Sequence, residues 1–326
     1  NKSTAYDYTL KRNSVAVVSD GSAILGLGNL GSLAAIPVME GKAILFKELA
    51  GIDAFPICLD TQNTDEIVRT VKNIAPVFGG INLEDISAPR CFEVERRLKN
   101  ELEIPLIHDD QSGTAVVVLA ALINALKLKG AGKNAKIVIN GAGAAGTAVA
   151  KILLYCGFKD LTVCDSKGVI SENRQNLPDY KAEIAKMTKK AGGDLASAIE
   201  GANVFVGLSA GGVLKGEMVK KMKEKVVVFA LANPVPEIMP KEAEAAGAWI
   251  VATGRSDLPN QINNVLAFPG IMRGALDNRV SRITAAMHVR AAENLAAHVK
   301  NLTPKGILPN PLDKSVVPEV AKAIRN

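Results

Sequence analysis

Two short apolar runs in this sequence each end in a pair of acids. Ile81-Asn82-Leu83 runs into Glu84-Asp85, and Leu106-Ile107-His108 runs into Asp109-Asp110. Adjacent carboxylates repel: at about 4 Å and an effective dielectric of roughly 20, two full charges cost about 4 kcal/mol. Something must offset that. Oxygen-only ligands with little His or Cys nearby suit a hard cation, Mg²⁺ or Mn²⁺. The bland alternative is that these acids cap the helices after them. Spacing alone leaves both readings open.

A second kind of chemistry is written in glycine. The pattern GxGxxG occurs twice, as Gly26-Leu27-Gly28-Asn29-Leu30-Gly31 and as Gly141-Ala142-Gly143-Ala144-Ala145-Gly146. Context separates them. The second comes after an apolar run, AKIVI (135–139), opens a helical pattern over 144–156, and precedes Asp165 at the end of LTVCD. That is the arrangement a dinucleotide needs. Gly141, Gly143 and Gly146 permit a tight turn and close approach, and the helix start at Ala144 and Ala145 offers N–H groups and positive dipole to a pyrophosphate. Asp165 can accept from ribose hydroxyls. An acid there repels a 2′-phosphate and favours NAD, while Ser166 and Lys167 directly after it keep NADP open. The first pattern lacks such a frame, because Pro37 and Gly41 interrupt the helical stretch downstream of it. It reads as a tight backbone turn and not as a second cofactor site.

These residues need elements to hold them. Residues 15–28 read as two β-rich runs around an Asp20-Gly21 turn, a hairpin signal. A helical stretch carrying Lys42 comes next, then a strand at 55–60 and a helix at 65–76. From Ser87, a plausible N-cap with Pro89 in the first turn, Cys91, Val94, Leu98 and Leu102 recur on one helix face. Residues 81–110 therefore read as strand, helix, strand. Such a unit joins parallel strands by a right-handed crossover, so both acid pairs are expected at the carboxyl edge of one sheet, where ligands bind. Residues 114–128 form a strongly apolar helix, and KGAGKN (129–134) marks a boundary. Beyond it, strands at 135–139, 161–164, 203–207, 226–231 and 248–253 alternate with helices, which means a parallel sheet with helices on both faces. The segment 276–300 reads as helical again.

The fold class is α/β. An N-terminal α/β substrate and metal domain (1–128) precedes a doubly wound Rossmann-type domain (129–275), and the helical segment 276–326 is expected to return to the first. Composition narrows the partners. Hydrophobic content of 48% with 22% charged residues describes a globular chain. No run of 18 or more uncharged apolar residues appears, so no membrane-spanning helix is expected. Only 4% of residues are aromatic, which argues against a stacking platform for nucleic acid. The net charge of +6 is dispersed; its densest stretches, Lys186 with Lys189 and Lys190, and Lys220, Lys221, Lys223 and Lys225, read as solvated faces. Cys58, Cys91, Cys156 and Cys164 have no CxxC spacing and fit a reducing, cytoplasmic compartment. The chain opens on Asn1 with no apolar-cored leader, and its natural start is expected to lie further upstream.

Taken in order, the motifs resemble malic enzyme, the decarboxylating malate dehydrogenase, in its short prokaryotic form. The matching stretches are VSDGSAILGLGNLG (18–31), PVMEGKAILFK (37–47), FGGINLEDISAP (78–89), IPLIHDDQSGTA (104–115), INGAGAAG (139–146), VCDSKGVI (163–170), LANPVPEI (231–238) and TGRSDLPNQINNVLAFPG (253–270). The resemblance implies oxidation of malate to pyruvate and CO2 with NAD(P) and a divalent metal, in a homodimer. It implies Glu84, Asp85 and Asp110 as metal ligands, Lys42 as general base supported by Asp109, and Asn233 and Asn264 beside the nicotinamide and the substrate carboxylate. A lysine beside a metal has its pKa pulled toward neutrality. Two departures stand out. The family's proton-donating tyrosine, in a Tyr-x-Pro-Gly-Val type stretch, has no counterpart here; the match places it ahead of Asn1 and leaves Tyr6 and Tyr8 outside the motif. Ala23 stands where larger animal-type relatives carry a substrate-binding arginine, with Arg255 an alternative. The rival expectations are a catalytically impaired dinucleotide-binding protein and a simple hydroxy-acid dehydrogenase without decarboxylation.

Overall fold

The structure is a computed structural model that describes residues 3–188 and 192–326. Lys189 and Lys190 lie outside the described residues. Packing divides the chain into two units. One comprises Asn1–Val116, Asn264–Leu295 and Pro311–Asn326; the other comprises Val117–Asn263 and Ala296–Asn310. The first division therefore falls inside the helix Asp109–Lys129 and not at the Gly/Lys turn after it. A glycine-rich turn marks where a helix ends, which need not be where packing changes. The C-terminal segment is shared between the units: Asn124 holds the carbonyls of Ala296 and Ile307, each at 2.9 Å, within the second.

In the first unit, β1 (Ser14–Ser19), β2 (Asp53–Cys58), β3 (Gly80–Leu83) and β4 (Leu106–His108) form a parallel sheet in the order β2-β1-β3-β4. The hairpin expected over 15–28 does not form. Val15, Ala16, Val17 and Val18 are all fully buried, the mark of a central parallel strand covered on both faces. The second apolar run, Leu25 and Leu27, is exposed and lies in a loop with one short 3₁₀ turn, Ile24–Gly26. The chain then enters the helix Ser32–Ala50, which contains Pro37 and Gly41, and returns to β2 beside β1. The first glycine pattern thus does sit in a strand–turn–helix–strand frame. Pro37 only forgoes one i→i−4 hydrogen bond; it does not end the helix. The turn is closed on itself, since the Leu30 and Gly31 amides both donate to the Gly21 carbonyl.

The helix after β3 spans Arg90–Glu101, two residues later than a Ser87 cap implies, yet Cys91, Val94 and Leu98 are buried on one face as spaced. Within 276–300, read as helical, lie the end of the helix Phe268–Asp277 and the whole helix Ala285–His298. The helix Asp109–Lys129 is long and apolar enough to cross a bilayer by length and composition, but 78% of its most apolar stretch is buried within the chain.

In the second unit, β5 (Ile137–Asn140), β6 (Leu161–Asp165), β7 (Gly168–Val169), β8 (Val204–Gly207), β9 (Val226–Ala230) and β10 (Ala248–Thr253) pair in the order β10-β9-β8-β5-β6-β7. All pairs are parallel except the short β6–β7 hairpin. Val138, Phe205 and Val228 fill one face of the sheet with Ile199 and Leu214. Chain order reverses direction between β5 and β8, and this topological switch point is where open α/β sheets bind ligands. The first sheet has the same kind of switch between β1 and β3.

Candidate functional site

The first site is built by register. Leu83 pairs with His108 across β3 and β4, so Glu84-Asp85 and Asp109-Asp110 leave the sheet at one edge. The Glu84 amide still donates to the Val18 carbonyl at 2.8 Å, which extends the ladder by a residue. Asp85 then turns sharply, with φ of 52° in the left-handed region. Its amide donates to Asp110 Oδ2 at 2.9 Å, and its carbonyl accepts from the Ala23 amide at 3.0 Å. Asp109 and Asp110 are the first residues of the helix Asp109–Lys129, where negative charge is favoured by the helix dipole.

Glu84, Asp85 and Asp110 each offer a carboxylate oxygen within 4.8 Å of the other two. Burial pushes the Asp85 carboxyl up to about 8, reinforced by Asp110 and then Glu84. Burial raises Glu84 as well. Among the described residues, buried Asp85 Oδ2 has no hydrogen-bond partner. Three carboxylates held this close, with a buried unpaired oxygen on one of them, fit a hard divalent cation. His108 Nδ1 lies 3.6 Å from Asp110 Oδ2.

Lys42 comes from the middle of the helix Ser32–Ala50 and is 8% exposed. Its Nζ lies 2.5 Å from Glu84 Oε1, bonds Asp109 Oδ2, and stands 4.5 Å from the centroid of the Phe268 ring. Burial alone would lower the Lys42 ammonium, but Asp109, Glu84 and Asp110 outweigh it and the net shift is upward. Asn264 Nδ2 also donates to Asp109 Oδ2, at 2.5 Å. Asn264 is thereby tied to the same carboxylate as Lys42.

Two further residues of this site carry no chemistry that sequence reasoning singles out. Asn82 Nδ2 donates to Glu84 Oε2 at 2.9 Å; an Asn inside an apolar strand is the available signal. Gly113 lies one helical turn after Asp109. A Cβ there would fall 1.9 Å from Asp109 Oδ1 and 3.3 Å from Asn264 Cβ. An isolated glycine inside a helical pattern is its signal.

The second site lies at the switch point of the six-stranded sheet. Gly141 has φ of 118°, and a Cβ on it would meet the Leu208 carbonyl oxygen at 2.1 Å. A Cβ on Gly146 would meet the Gly141 oxygen at 1.8 Å, whereas one on Gly143 would enter open space. Those are the roles a dinucleotide turn assigns: tight turn, close approach, close packing. Ala144 and Ala145 open the helix Ala144–Tyr155. Asp165 ends β6, and Ser166 and Lys167 come after it exposed. Asn233 is exposed in the loop after β9. Beside it, buried Glu237 accepts the Ala232 amide at 3.0 Å and the Ser209 amide at 2.9 Å, tying the loops after β8 and β9 together. Arg255 is held by Asp257 at 2.7 Å and by the Pro234 carbonyl at 3.1 Å, so it is not a free anion ligand.

Residues 2–99 match the family model of the malic enzyme N-terminal domain, and residues 111–325 match that of the malic enzyme NAD binding domain. The chain belongs to the malic enzyme family. It is 55% identical over 325 residues to the bifunctional malic/malolactic enzyme of Bacillus subtilis (strain 168), covering 98% of this chain and 79% of that protein. It is 55% identical over 325 residues to the NAD-dependent malic enzyme of Geobacillus stearothermophilus, covering 98% of this chain and 68% of that one. The crystal structure of the NAD-dependent malic enzyme from Thermotoga maritima superposes with a TM-score of 0.97 at 52% identity, covering 100% of this chain and 87% of that chain. Malic enzyme architecture, an α/β domain followed by a Rossmann-type domain, is thus the fold of this chain.

Proposed function

We propose that the chain catalyses the oxidative decarboxylation of malate to pyruvate and CO2 with reduction of NAD(P). The observation that carries this reading is the convergence of Glu84, Asp85 and Asp110 within 4.8 Å beside a buried lysine. A simple hydroxy-acid dehydrogenase needs a base but no such acid cluster. When bound by these three residues, Mg²⁺ or Mn²⁺ supplies Lewis-acid pull on the C2 oxygen of malate and positive charge that opposes the Lys42 ammonium. A nicotinamide held by the second unit would supply the hydride acceptor for C2.

Lys42, as the neutral amine, accepts the proton of the C2 hydroxyl. Asp109, itself held by Asn264, fixes its position, with the Phe268 ring 4.5 Å from its Nζ. The C3–C4 bond then breaks, CO2 departs, and its electron pair stays on C3, which takes up a proton to give pyruvate. Gly141, Gly143, Ala144, Ala145, Gly146, Asp165, Ser166, Lys167, Asn233 and Asn264 would hold the dinucleotide.

The reading extends to assembly and compartment. Leu33, Ile36 and Ile44, spaced along one face of the helix Ser32–Ala50, are 80%, 38% and 61% exposed, and Leu25, Leu27 and Leu30 lie exposed just before them. Exposed apolar side chains gathered in this one stretch support a homodimer. Cysteines without CxxC spacing support the cytoplasm. The partners are small molecules, with no role for nucleic acid or membrane.

The test is an assay of malate turnover with Mn²⁺ and with EDTA, scoring pyruvate, CO2 and oxaloacetate separately. Equimolar reduced cofactor, CO2 and pyruvate that vanish with EDTA support the reading. Oxaloacetate accumulating without CO2 overturns it.

A further inference from the structure

The acid that ends β6 is already saturated. Asp165 Oδ1 accepts the Lys167 amide at 2.9 Å and Arg174 Nη1 at 2.8 Å. Oδ2 accepts Arg174 Nη2 at 3.2 Å and Lys181 Nζ at 2.7 Å. An ionised carboxylate has about four acceptor sites, and here each oxygen already has two donors. A ribose hydroxyl can be accepted only by displacing one of them. The side chain of Asp165 is 9% exposed, while those of Arg174 and Lys181 are 22% and 20% exposed, so the cations form the wet side of the cluster.

The place is the one that matters for cofactor choice. The Gly141 amide donates to the Cys164 carbonyl at 2.9 Å, which sets the glycine turn directly beside Asp165. Arg174 reaches in from the loop after β7, and Lys181 from the first turns of the helix Asp179–Met187. One negative charge therefore meets two cations in contact, with Lys167 exposed next to them. Glu183 on the same helix is occupied by Lys151 at 2.6 Å. Asp165 consequently does not turn away a 2′-phosphate, because the cluster as a whole is cationic.

We infer that Arg174 and Lys181 convert the ribose end of the nucleotide site into a 2′-phosphate site, so that this chain takes NADP at least as readily as NAD. With its fork on Asp165, Arg174 still brings full positive charge and the hydrogens on Nε and the outer side of Nη2 to a phosphate, and Lys181 adds a point charge. Asp165 acts as the positioning residue that holds both cations at the turn. This rests on the nucleotide reading of the glycine turn.

The test needs no turnover. Calorimetry on the full chain compares adenosine 2′,5′-bisphosphate with 5′-AMP. The bisphosphate is expected to bind about tenfold tighter or better, as one added charge-assisted contact provides. In Arg174→Gln/Lys181→Gln that preference falls to parity while 5′-AMP still binds. Lys181→Gln alone, which leaves the Arg174 fork on Asp165, lowers it severalfold and serves if the double variant does not fold. The ratio of kcat/KM for NADP to that for NAD changes in the same order. Equal affinity of the wild-type chain for the two nucleotides, or a preference unchanged in the variants, overturns the inference alone. Binding of neither nucleotide overturns it together with the nucleotide reading.

Discussion

Asp109 and Gly113 show how much of this site depends on residues that touch no substrate. Asp109 is fully buried and is oriented by Lys42 and Asn264, and its carboxylate lies in a space that exists only because residue 113 has no side chain. Gly113→Ala should therefore push Asp109 aside. Overpacking of this kind costs about 1–3 kcal/mol, and a displacement near 1 Å in a catalytic array costs about a hundredfold in rate. The expected outcome is kcat for malate down by roughly that factor with dinucleotide affinity unchanged; unchanged kcat would refute the positioning role. At Asp165 the prediction concerns acid. Its burial works against ionisation, but Arg174, Lys181 and the Lys167 amide bring the carboxyl down from the usual 3.8 to about 2. A value lower in the folded state means that the ionised form favours folding. That contribution is complete above about pH 4 and is lost as pH falls toward 2. Melting temperatures measured between pH 5 and pH 2 should fall less steeply for Asp165→Asn than for the parent chain. At this scale the sequence is most legible where residue type alone signals chemistry, as with four acids and three glycines. Asn82 and Gly113 are not legible, because their roles are defined by neighbours distant in sequence.

Elements convert those residues into sites by register and direction. The alternation of strands and helices after residue 135 is legible from period alone. So is the strand–helix–strand reading of 81–110, because Cys91, Val94 and Leu98 recur at helical spacing. The region 15–50 misleads for a physical reason: a buried parallel strand followed by an exposed apolar loop looks, in sequence, like two strands around a turn. Pro37 and Gly41 then disguise a 19-residue helix. In the second unit, Glu237 does at the element level what Asn264 does at the residue level. Its carboxylate joins the loops after β8 and β9, and Gly207 leaves room for it, since a Cβ there would lie 2.4 Å from the Glu237 carboxyl carbon. Glu237→Ala leaves the Ser209 and Ala232 amides unpaired, at about 1–3 kcal/mol. Denaturant titration should show that loss, and KM for the dinucleotide should rise. A loss of stability with KM unchanged would show that the two loops do not shape the cofactor site.

For the whole molecule, the division into two units explains why boundaries are the least legible feature. The helix Asp109–Lys129 is continuous in sequence and serves both units, and the C-terminal segments return to both. Periodicity reports neither fact. The exposed face of the helix Ser32–Ala50 gives a prediction at this scale. Leu33→Glu/Ile44→Glu should shift the chain to a single-chain species in sedimentation; an unshifted profile would remove this face from the assembly. The most direct measurement of the central claim is Mn²⁺ titration followed by electron paramagnetic resonance, on the parent chain and on Glu84→Gln, Asp85→Asn and Asp110→Asn. One ion per chain for the parent and a large loss of affinity in each variant is the predicted result, with all four proteins melting within a few degrees of one another in EDTA. Mn²⁺ bound equally well by all four would contradict a shared cation at these carboxylates.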